Sequence, residues 1–358
     1  MKKRPYIVLG LVITGCILSG CSVTKVKQID ANSNVKIAEE AVPDTEEDNT
    51  ICPGVLGKKI AICISDGEDP YLTLYQKELV SYLKSGGANV LVFDAKKDEL
   101  LQQNQIKELI DKGVQALIVA PVSSKTSSIE TITKAGKDKQ VPIVFVEKEP
   151  LKNEETKWKD ENLLVSYVGS DNRQAGTFQG ELIVTQTNRG DFDGDGKVKY
   201  VLLTERKDTR EAFERSKFCI QALADIGLGT EELDVVAVGN DRKAAYDTIK
   251  KDMKEKEIPE VIFCNNDTAA IGALDALTDL ESKVGKHVYL VGIDGIPEAL
   301  KNVKAGNFTG TVYRDYKKLS HLAGEAVGTY LNGERPDTVI RADYQKATIE
   351  NVDKLLQK

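Results

Sequence analysis

Short apolar segments recur along the chain in two series. The first series begins at Ile60 (IAICI), Val90 (VLVF), Ala116 (ALIVA) and Ile143 (IVFV), and the second begins at Tyr200 (YVLL), Val235 (VVAV), Val261 (VIFC) and Val288 (VYLVGI). Continuous apolar runs of this kind, rich in Val and Ile and spaced by roughly 30 residues, are typical of parallel strands that are buried on both faces. We therefore predict two groups of buried strands.

The segments between these strands have the apolar spacing of amphipathic helices. The clearest examples are residues 71–85, 101–112, 210–224 and 267–280. Strands that alternate with helices at this interval form βαβ units, and such units build a parallel sheet with helices on both faces. The pattern predicts an α/β protein with two doubly wound, parallel-sheet lobes of similar plan.

Polar residues follow several of the predicted strands directly. They are residues 65–71 after the first strand, 147–149 after the fourth, 265–267 after the seventh and 294–295 after the eighth. Ligands of doubly wound sheets bind beyond the carboxyl ends of the strands, and facing carboxylates and amides suit a ligand with many hydroxyl groups. The alternative is that these residues are helix N-caps and turn residues. That alternative does not account for Tyr71 and Arg215.

The composition is that of a globular, acidic protein. The chain has 358 residues, 41% of them hydrophobic, and 49 Lys and Arg against 56 Asp and Glu give a formal net charge of −7. This balance lacks the basic surface of a nucleic-acid-binding protein, so we expect no nucleic-acid partner. Only two histidines are present, His287 and His321. A metal site or catalytic relay that needs several imidazoles is therefore excluded.

Residues 1–20 have the order of a bacterial lipoprotein signal peptide. The basic residues 2–4 precede an apolar stretch, residues 6–18, which is shorter than the roughly 20 residues that span a bilayer. Leu18-Ser19-Gly20-Cys21 then resembles the lipobox, in which the signal is cleaved before the cysteine and the thiol is acylated. The alternative is a plain secretory signal with an incidental cysteine. We expect an extracytoplasmic protein that is anchored to the cell membrane by lipid on Cys21.

The segment that follows the signal has a different composition. Residues 21–57 are rich in Asn, Asp, Glu, Lys and Ser, which is typical of a flexible tether, and we expect the folded part to begin near Lys58. Four cysteines lie beyond Cys21, namely Cys52, Cys63, Cys219 and Cys264, and no CxxC pair occurs. Cys63 and Cys264 lie inside apolar runs and are expected in the core. The spacing indicates no disulfide framework, although it leaves a disulfide between two of the four open.

Several phrases of the sequence resemble one known family. They are Lys148-Glu149-Pro150, Tyr167-Val168-Gly169-Ser170-Asp171, Asn265-Asn266-Asp267, the stretch from Gly292 to Leu300 (GIDGIPEAL) and Gly310-Thr311-Val312. With the order of the elements, they resemble the periplasmic galactose/glucose-binding proteins, the substrate-binding components of sugar ABC importers. The resemblance extends over residues 59–350.

The resemblance implies a type I periplasmic-binding-protein fold. Its N-terminal lobe would comprise residues 58–148 and 316–339, and its C-terminal lobe residues 149–315 and 340–358. A multi-strand hinge would cross between the lobes at residues 147–150, 313–316 and 340–343. The family's mechanism implies a monomer that closes its lobes on a monosaccharide and is then recognised by an ABC permease.

Residues 191–199 (DFDGDGKVK) contain the D-x-D-x-D-G pattern of a calcium loop. Calcium prefers six to eight oxygen ligands, and this pattern supplies them from the carboxylates of Asp191, Asp193 and Asp195 and the backbone carbonyl of Lys197. The twelfth loop position, where an EF-hand has a bidentate Glu, is Leu202. The alternative is an acidic turn without metal.

The resemblance adds one ligand to this loop and removes another. In the family a distant glutamate completes the shell of a structural calcium ion, and here that residue is Glu260. At the ninth loop position, where the family has a Gln ligand, this chain has Lys199. Because an ammonium group cannot coordinate a cation, water has to replace it or the affinity for calcium falls.

The resemblance also assigns the sugar site. Asp69, Arg215, Asn266 and Asp294 match residues that hold sugar hydroxyls, Tyr71 matches an aromatic that stacks on the pyranose, and Glu211 stands in place of an aspartate. Four positions depart from the family: Ala120, Thr209, Asn240 in place of the second stacking ring, and Arg314 in place of an asparagine.

Arg314 leaves two interpretations of the ligand open. A fixed guanidinium charge favours an acidic or modified sugar over galactose or glucose. Alternatively, Arg314 pairs with Glu147, Glu211 or Asp294 and adds no net charge to the site.

Two further function classes differ from transport. An enzyme is disfavoured because the sequence has no G-x-S-x-G, P-loop or G-x-G-x-x-G motif and no histidine near a serine or cysteine nucleophile. A sensory role, in which the protein presents bound sugar to a chemoreceptor or sensor kinase, uses the same fold and site and stays open. The related repressor core is excluded by the export signal and by the lack of a helix-turn-helix before Ile60.

Overall fold

The computed structural model describes residues 50–205, 209–255 and 257–357. The predicted signal peptide, the acylation site Cys21 and the tether up to residue 49 lie outside the described residues. Within the described ranges, no helix combines the length and the apolar character that a membrane span requires.

The described chain alternates between strands and helices almost throughout. In chain order the elements are β1 (Lys59–Ile64), α1 (Pro70–Ser85), β2 (Asn89–Asp94), α2 (Glu99–Asp111), β3 (Ala116–Val119), α3 (Thr126–Lys139), β4 (Ile143–Val146), α4 (Lys152–Asp160), β5 (Val165–Gly169), α5 (Asn172–Val184), β6 (Lys197–Thr204), α6 (Arg210–Ala224), β7 (Gly229–Ala237), α7 (Arg242–Glu255), β8 (Val261–Cys264), α8 (Asp267–Asp279), β9 (Tyr289–Asp294), α9 (Pro297–Lys304), β10 (Gly310–Tyr313), α10 (Tyr316–Leu331), β11 (Val339–Arg341), β12 (Gln345–Ala347) and α11 (Val352–Leu355).

Two sheets of the same plan form two lobes. The first sheet has the order β2–β1–β3–β4–β5–β11, and all its strands are parallel. The second has the order β7–β6–β8–β9–β10–β12, and only β12 is antiparallel to its neighbour, with Thr311 opposite Ala347. In both sheets the first five strands repeat a doubly wound order. The predicted fold class is confirmed.

The predicted lobe boundaries are wrong around β5. This strand pairs with β4, from Ile143 opposite Val165 onward, and with β11, so residues 149–169 belong to the first lobe. The first crossover therefore follows Gly169 and does not lie at residues 147–150. The third crossover follows β11, which places residues 340 and 341 in the first lobe. The second crossover lies between β10 and α10, as expected.

The folded body also begins earlier than Lys58. Cys52 and Val55 are only 1% and 0% exposed, and the Gly57 amide donates to the Gly87 carbonyl oxygen at 2.9 Å. Residues 51–57 thus pack on the first lobe and are not part of a tether. The four cysteines from Cys52 to Cys264 are buried and free, so the open disulfide question is answered for the described residues.

Each lobe has an apolar cluster of its own, and a third cluster contains residues of both lobes. In the first lobe the single tryptophan, Trp158 on α4, is 1% exposed and stacks on Phe145 of β4 with ring centroids 5.5 Å apart. In the second lobe α5 and α6 approach closely at two glycines. A Cβ atom on Gly176 would lie 2.4 Å from the Arg215 carbonyl oxygen, and one on Gly180 would lie 2.4 Å from that of Cys219.

Candidate functional site

The carboxyl ends of the strands of both sheets meet in one polar region, which we call the interlobe cleft. It is formed by Asp69, Tyr71 and Glu147 of the first lobe, by Glu205, Glu211, Arg215, Asn240 and Asp294 of the second, and by Arg314 and Tyr344 of the crossovers. Direct contacts and mutual electrostatic effects connect these residues. Polar residues that follow strands of both sheets therefore lie together, as the strand-end argument expected.

Arg314 forms an ion pair across the two lobes. Its guanidinium follows β10 of the second lobe, and Nη1 lies 2.8 and 2.9 Å from the two carboxylate oxygens of Glu147, which follows β4 of the first lobe. The side chain of Arg314 is 4% exposed, and its guanidinium lies over the ring of Tyr71, 4.9 Å from the centroid. The sequence left open whether Arg314 presents a free charge to the ligand or pairs with a carboxylate of the protein. In the structure it pairs with Glu147. The charge of Arg314 is thereby balanced within the protein.

Asp69 connects the start of α1 to the opposite lobe. One carboxylate oxygen caps the helix by accepting from the Leu72 amide at 2.9 Å. The other accepts a short hydrogen bond from the side-chain amide of Asn240, just beyond β7. Burial, together with the nearby carboxylates of Glu147 and Glu205, raises the pKa of Asp69 to about 7. A carboxyl that titrates near neutral pH can both donate a hydrogen bond to a ligand hydroxyl and accept one from it.

Arg215 is fixed from several sides on α6. Its Nε donates to the Asn172 side chain at 3.0 Å, and Nη1 donates to the Asn265 carbonyl oxygen at 2.8 Å. Nη1 also lies 3.4 Å from a carboxylate oxygen of Glu205, and Nη2 lies 3.4 Å from the hydroxyl of Tyr344. A guanidinium held in this way has a defined orientation at the floor of the cleft.

Glu211 and Tyr71 have buried oxygens that accept no hydrogen bond from the described residues. Glu211 lies in the first turn of α6 and is 6% exposed, and neither of its carboxylate oxygens has a partner within the described part of the chain. The same holds for the buried hydroxyl of Tyr71. Burial raises the pKa of Glu211. Because an unpaired buried acceptor costs free energy, these atoms require a donor from a bound molecule or water.

Two acidic residues of the cleft have positive backbone φ angles. Glu147 at the end of β4 has φ = 70°, and Asp294 at the end of β9 has φ = 113°. Non-glycine residues seldom adopt positive φ, and such strain concentrates at binding sites. Burial also raises the pKa of Asp294 well above its usual value, an effect that the guanidinium of Arg215 opposes. Each lobe thus has a carboxylate residue with positive φ at the end of its fourth strand.

Asn266, Thr209 and Ala120 form hydrogen bonds within the protein. The Asn266 side chain caps α8 by accepting from the Ala269 amide at 2.8 Å and donates to the Gly239 carbonyl oxygen at 3.1 Å. Thr209 caps α6 in the same way, and the carbonyl oxygen of Ala120 accepts from the Gln102 side chain at 2.9 Å. For Asn266 the capping alternative from the sequence therefore holds. Its neighbour Asp267 accepts from the Thr311 hydroxyl and the Ile296 amide inside the core.

The predicted calcium loop lies far from the strand ends of the cleft, before β6. Oxygens of Asp191, Asp193 and Asp195 come within 4.8 Å of one another, and Glu260 contacts the loop. The ammonium group of Lys199 lies among these carboxylates, 2.6 Å from Asp193 and 3.4 Å from Asp195. The acidic residues are brought together as predicted, but the loop already contains a positive charge. As it stands, the loop does not fit a divalent cation.

Comparison with known proteins identifies the family. The family model described as a periplasmic binding protein domain matches residues 60–335. The chain belongs to this family. A relative among periplasmic binding proteins, the D-galactose/methyl-galactoside binding periplasmic protein MglB of Haemophilus influenzae, is 30% identical over 84% of this chain and 92% of its own length.

Solved structures of solute binding proteins of ABC transporters share the fold. A solute binding protein of Actinobacillus succinogenes with bound D-allose matches with a TM-score of 0.73 and 19% identity, over 83% of this chain and 99% of its own. One of Bacillus halodurans with bound myo-inositol has a TM-score of 0.72 and 23% identity, over 84% of this chain and 98% of its own. These structures establish the type I periplasmic-binding-protein fold for the chain.

Sequence reasoning missed two residues of the cleft in this periplasmic binding protein. Glu205 directly follows the apolar run of β6, so the strand-end argument would have found it had it been applied to that strand. Tyr344 lies in the third crossover, one residue beyond the expected hinge range, and its hydroxyl faces Arg215. No local pattern marks Tyr344, because its role depends on a contact between residues distant in sequence.

Proposed function

We propose that this protein is an extracytoplasmic, lipid-anchored binding protein that captures a neutral monosaccharide and delivers it to an ABC permease. Membership of the family and the cleft between two lobes support capture by lobe closure. The predicted lipobox at Cys21 supports the anchor. In this proposal the protein binds without chemical conversion of its ligand and acts as a monomer.

The Arg314–Glu147 pair is the observation that supports an uncharged ligand. Because the Glu147 carboxylate lies 2.8 Å from the Arg314 guanidinium and balances its charge, the guanidinium does not require an acidic group on the ligand. The remaining ligand-facing groups are mainly carboxylates, including the unpaired oxygens of Glu211. Carboxyl groups exchange hydrogen bonds with hydroxyl groups and offer no positive charge to an acidic ligand, which favours a sugar or cyclic polyol over a uronic acid or a sugar phosphate.

Tyr71 offers a sugar ring at most one face of its own ring for stacking. Tyr71 is buried and one face of its ring is covered by Arg314, and Asn240 takes the position of the family's second ring. Galactose and glucose are the first candidates, because the MglB relative is named for D-galactose. The D-allose and myo-inositol in the solved structures define the wider set of candidates.

Thermal unfolding of the full-length protein tests this proposal. The panel contains galactose, glucose, allose, myo-inositol, galacturonic acid and galactose phosphate. A ligand at 100 times its dissociation constant adds about 2.7 kcal/mol to the free energy of unfolding, and we expect that increase from one or more neutral members only. The proposal is wrong if only the acidic members raise the midpoint, or if no member does.

A pair of matched variants assigns the effect to the cleft. Glu211→Gln removes the carboxylate charge while its size is kept, and we expect it to weaken ligand binding at least about tenfold. Glu181→Gln makes the same change on α5, where Glu181 pairs with Lys346 at the surface, and it should leave affinity unchanged. Equal affinity in both variants would contradict the role of Glu211.

A further inference from the structure

Residues 191–199 form a loop whose backbone is shaped for a cation. Gly194 and Gly196 have φ values of 76° and 87°, which curve the chain tightly around the side chains of the three aspartates. The carboxylate oxygens of these aspartates lie within 4.8 Å of one another. Three carboxylates this close repel each other unless a positive charge lies between them.

The side chain of Lys199 supplies that charge. Its Nζ lies 2.6 Å from Asp193, 3.0 Å from Glu257 and 3.4 Å from Asp195. An ammonium group has three hydrogens to donate, and here three carboxylates surround it. The side chain is only 13% exposed, whereas lysines normally extend into solvent.

The other carboxylates of the loop are occupied by backbone amides. Glu260 is 6% exposed, and its two oxygens accept from the amides of Phe192, Asp193 and Lys199, the last at 2.9 Å. Asp191 accepts from the amides of Gly194 and Gly196 at 2.6 and 3.0 Å. The loop therefore holds its shape through contacts within the chain.

We propose that Lys199 replaces the divalent cation in this loop, so that the second lobe is stable without calcium. A calcium ion at this position would have to displace the ammonium group from Asp193 and Asp195, or lie beside it against charge repulsion. Calcium also gains no ligand from Lys199, because an ammonium group has no lone pair to offer. Removing the ammonium group leaves an oxygen-rich loop that can accept the metal.

Calcium binding and thermal unfolding of the full-length protein test the proposal. The variants are Lys199→Gln, which supplies an amide oxygen, and Lys199→Met, which keeps the apolar stem. The matched control is Lys197→Gln. This substitution removes the same charge two residues away, but the Lys197 side chain is exposed and pairs with Glu231. Each protein is titrated with calcium by calorimetry, and its melting temperature is measured with calcium and with a chelator.

The expected results separate the variants clearly. The wild type and Lys197→Gln should show no calcium binding and equal melting temperatures in calcium and chelator. Lys199→Gln should melt at a lower temperature than wild type in chelator, regain stability in calcium, and show calcium binding in the titration. Lys199→Met should lose stability in chelator and regain less of it.

Two outcomes would overturn the proposal. One is a wild-type protein that binds calcium or melts earlier in chelator, and this measurement does not depend on any variant. The other is a folded Lys199→Gln protein that does not gain calcium affinity. A cooperative melting transition in the same scans shows whether each variant is folded, and it does not depend on sugar binding. Failure of every sugar to bind would contradict the proposed function and leave this proposal standing.

Discussion

Among single residues, Arg314 and Glu147 bear most directly on the charge of the cleft. Both charges are largely removed from water, with side-chain exposures of 4% and 18%. Removing one member of such a pair leaves the other buried without a partner, which costs more than losing both. The pair therefore affects both the stability of the protein and the charge that its ligand can have.

We expect Arg314→Gln and Glu147→Gln each to lower the free energy of unfolding by about 2 to 3 kcal/mol. The double variant should lose less than the sum of the two, because neither charge is then left alone. Chemical denaturation of all four proteins measures this coupling. Glu147→Gln should also increase affinity for galacturonic acid, since it frees the charge of Arg314. Additive losses in the double variant would show that the pair is not coupled.

The residue types of the site were more predictable than their partners. Asp69 and Asp294 belong to the polar segments that the strand-end argument selected, whereas Glu211 and Arg215, which the resemblance selected, lie on α6. Glu147 as the partner of Arg314 is separated from it by 167 positions, and only the folded chain brings the two together. Likewise, the sequence showed that Lys199 could not be a calcium ligand, but not that its ammonium would turn inward to the aspartates.

Among the elements, the contact between α5 and α6 positions the polar groups of the second lobe. Helix α6 carries Glu211 and Arg215, and it lies against α5 at Gly176 and Gly180, where no side chain fits between the backbones. Because packed helices resist small displacements, this contact fixes the depth at which Arg215 enters the cleft.

We expect Gly176→Ala and Gly180→Ala each to destabilise the protein by about 1 to 3 kcal/mol, because the added methyl group overlaps the carbonyl oxygens of α6. Gly176→Ala should in addition weaken ligand binding, because the carbonyl that it meets is that of Arg215. Denaturation curves and ligand-induced melting shifts measure the two effects. Thr177→Ala, between the two glycines, is the control and should be nearly neutral. A Gly180→Ala protein as stable as wild type would refute the close contact.

Two of the strands that the sequence missed, β5 and β10, share a physical feature. In β5 the buried Ser166 hydrogen-bonds to the hydroxyl of Tyr330, and in β10 the buried Thr311 donates to Asp267. These polar residues interrupt the apolar runs that revealed the other central strands. A pattern of hydrophobicity cannot detect a strand whose polar side chain is satisfied by a distant partner. Because β5 was not predicted, the first lobe was predicted to end at residue 148, although β5 is a strand of the first sheet.

In the whole molecule, the two lobes contact each other through polar groups. Asn240 donates to Asp69 across the cleft, Arg314 pairs with Glu147, and Arg210 of α6 donates to the Pro150 carbonyl oxygen at 3.2 Å. These are contacts of a closed arrangement, and each can be exchanged for water when the lobes separate. Two of the three apolar clusters each lie within one lobe, whereas the third contains residues of both lobes.

The position of Trp158 makes one lobe optically distinct from the other. As the single tryptophan of the sequence, buried on α4 against Phe145, it gives the first lobe an intrinsic fluorophore that the second lobe lacks. We expect tryptophan emission to stay unchanged when sugar binds and to shift red when the first lobe unfolds. Circular dichroism follows both lobes, so a difference between the two denaturation curves would show the lobes melting one after the other. An emission change on sugar binding would instead mean that lobe closure perturbs the core around Phe145.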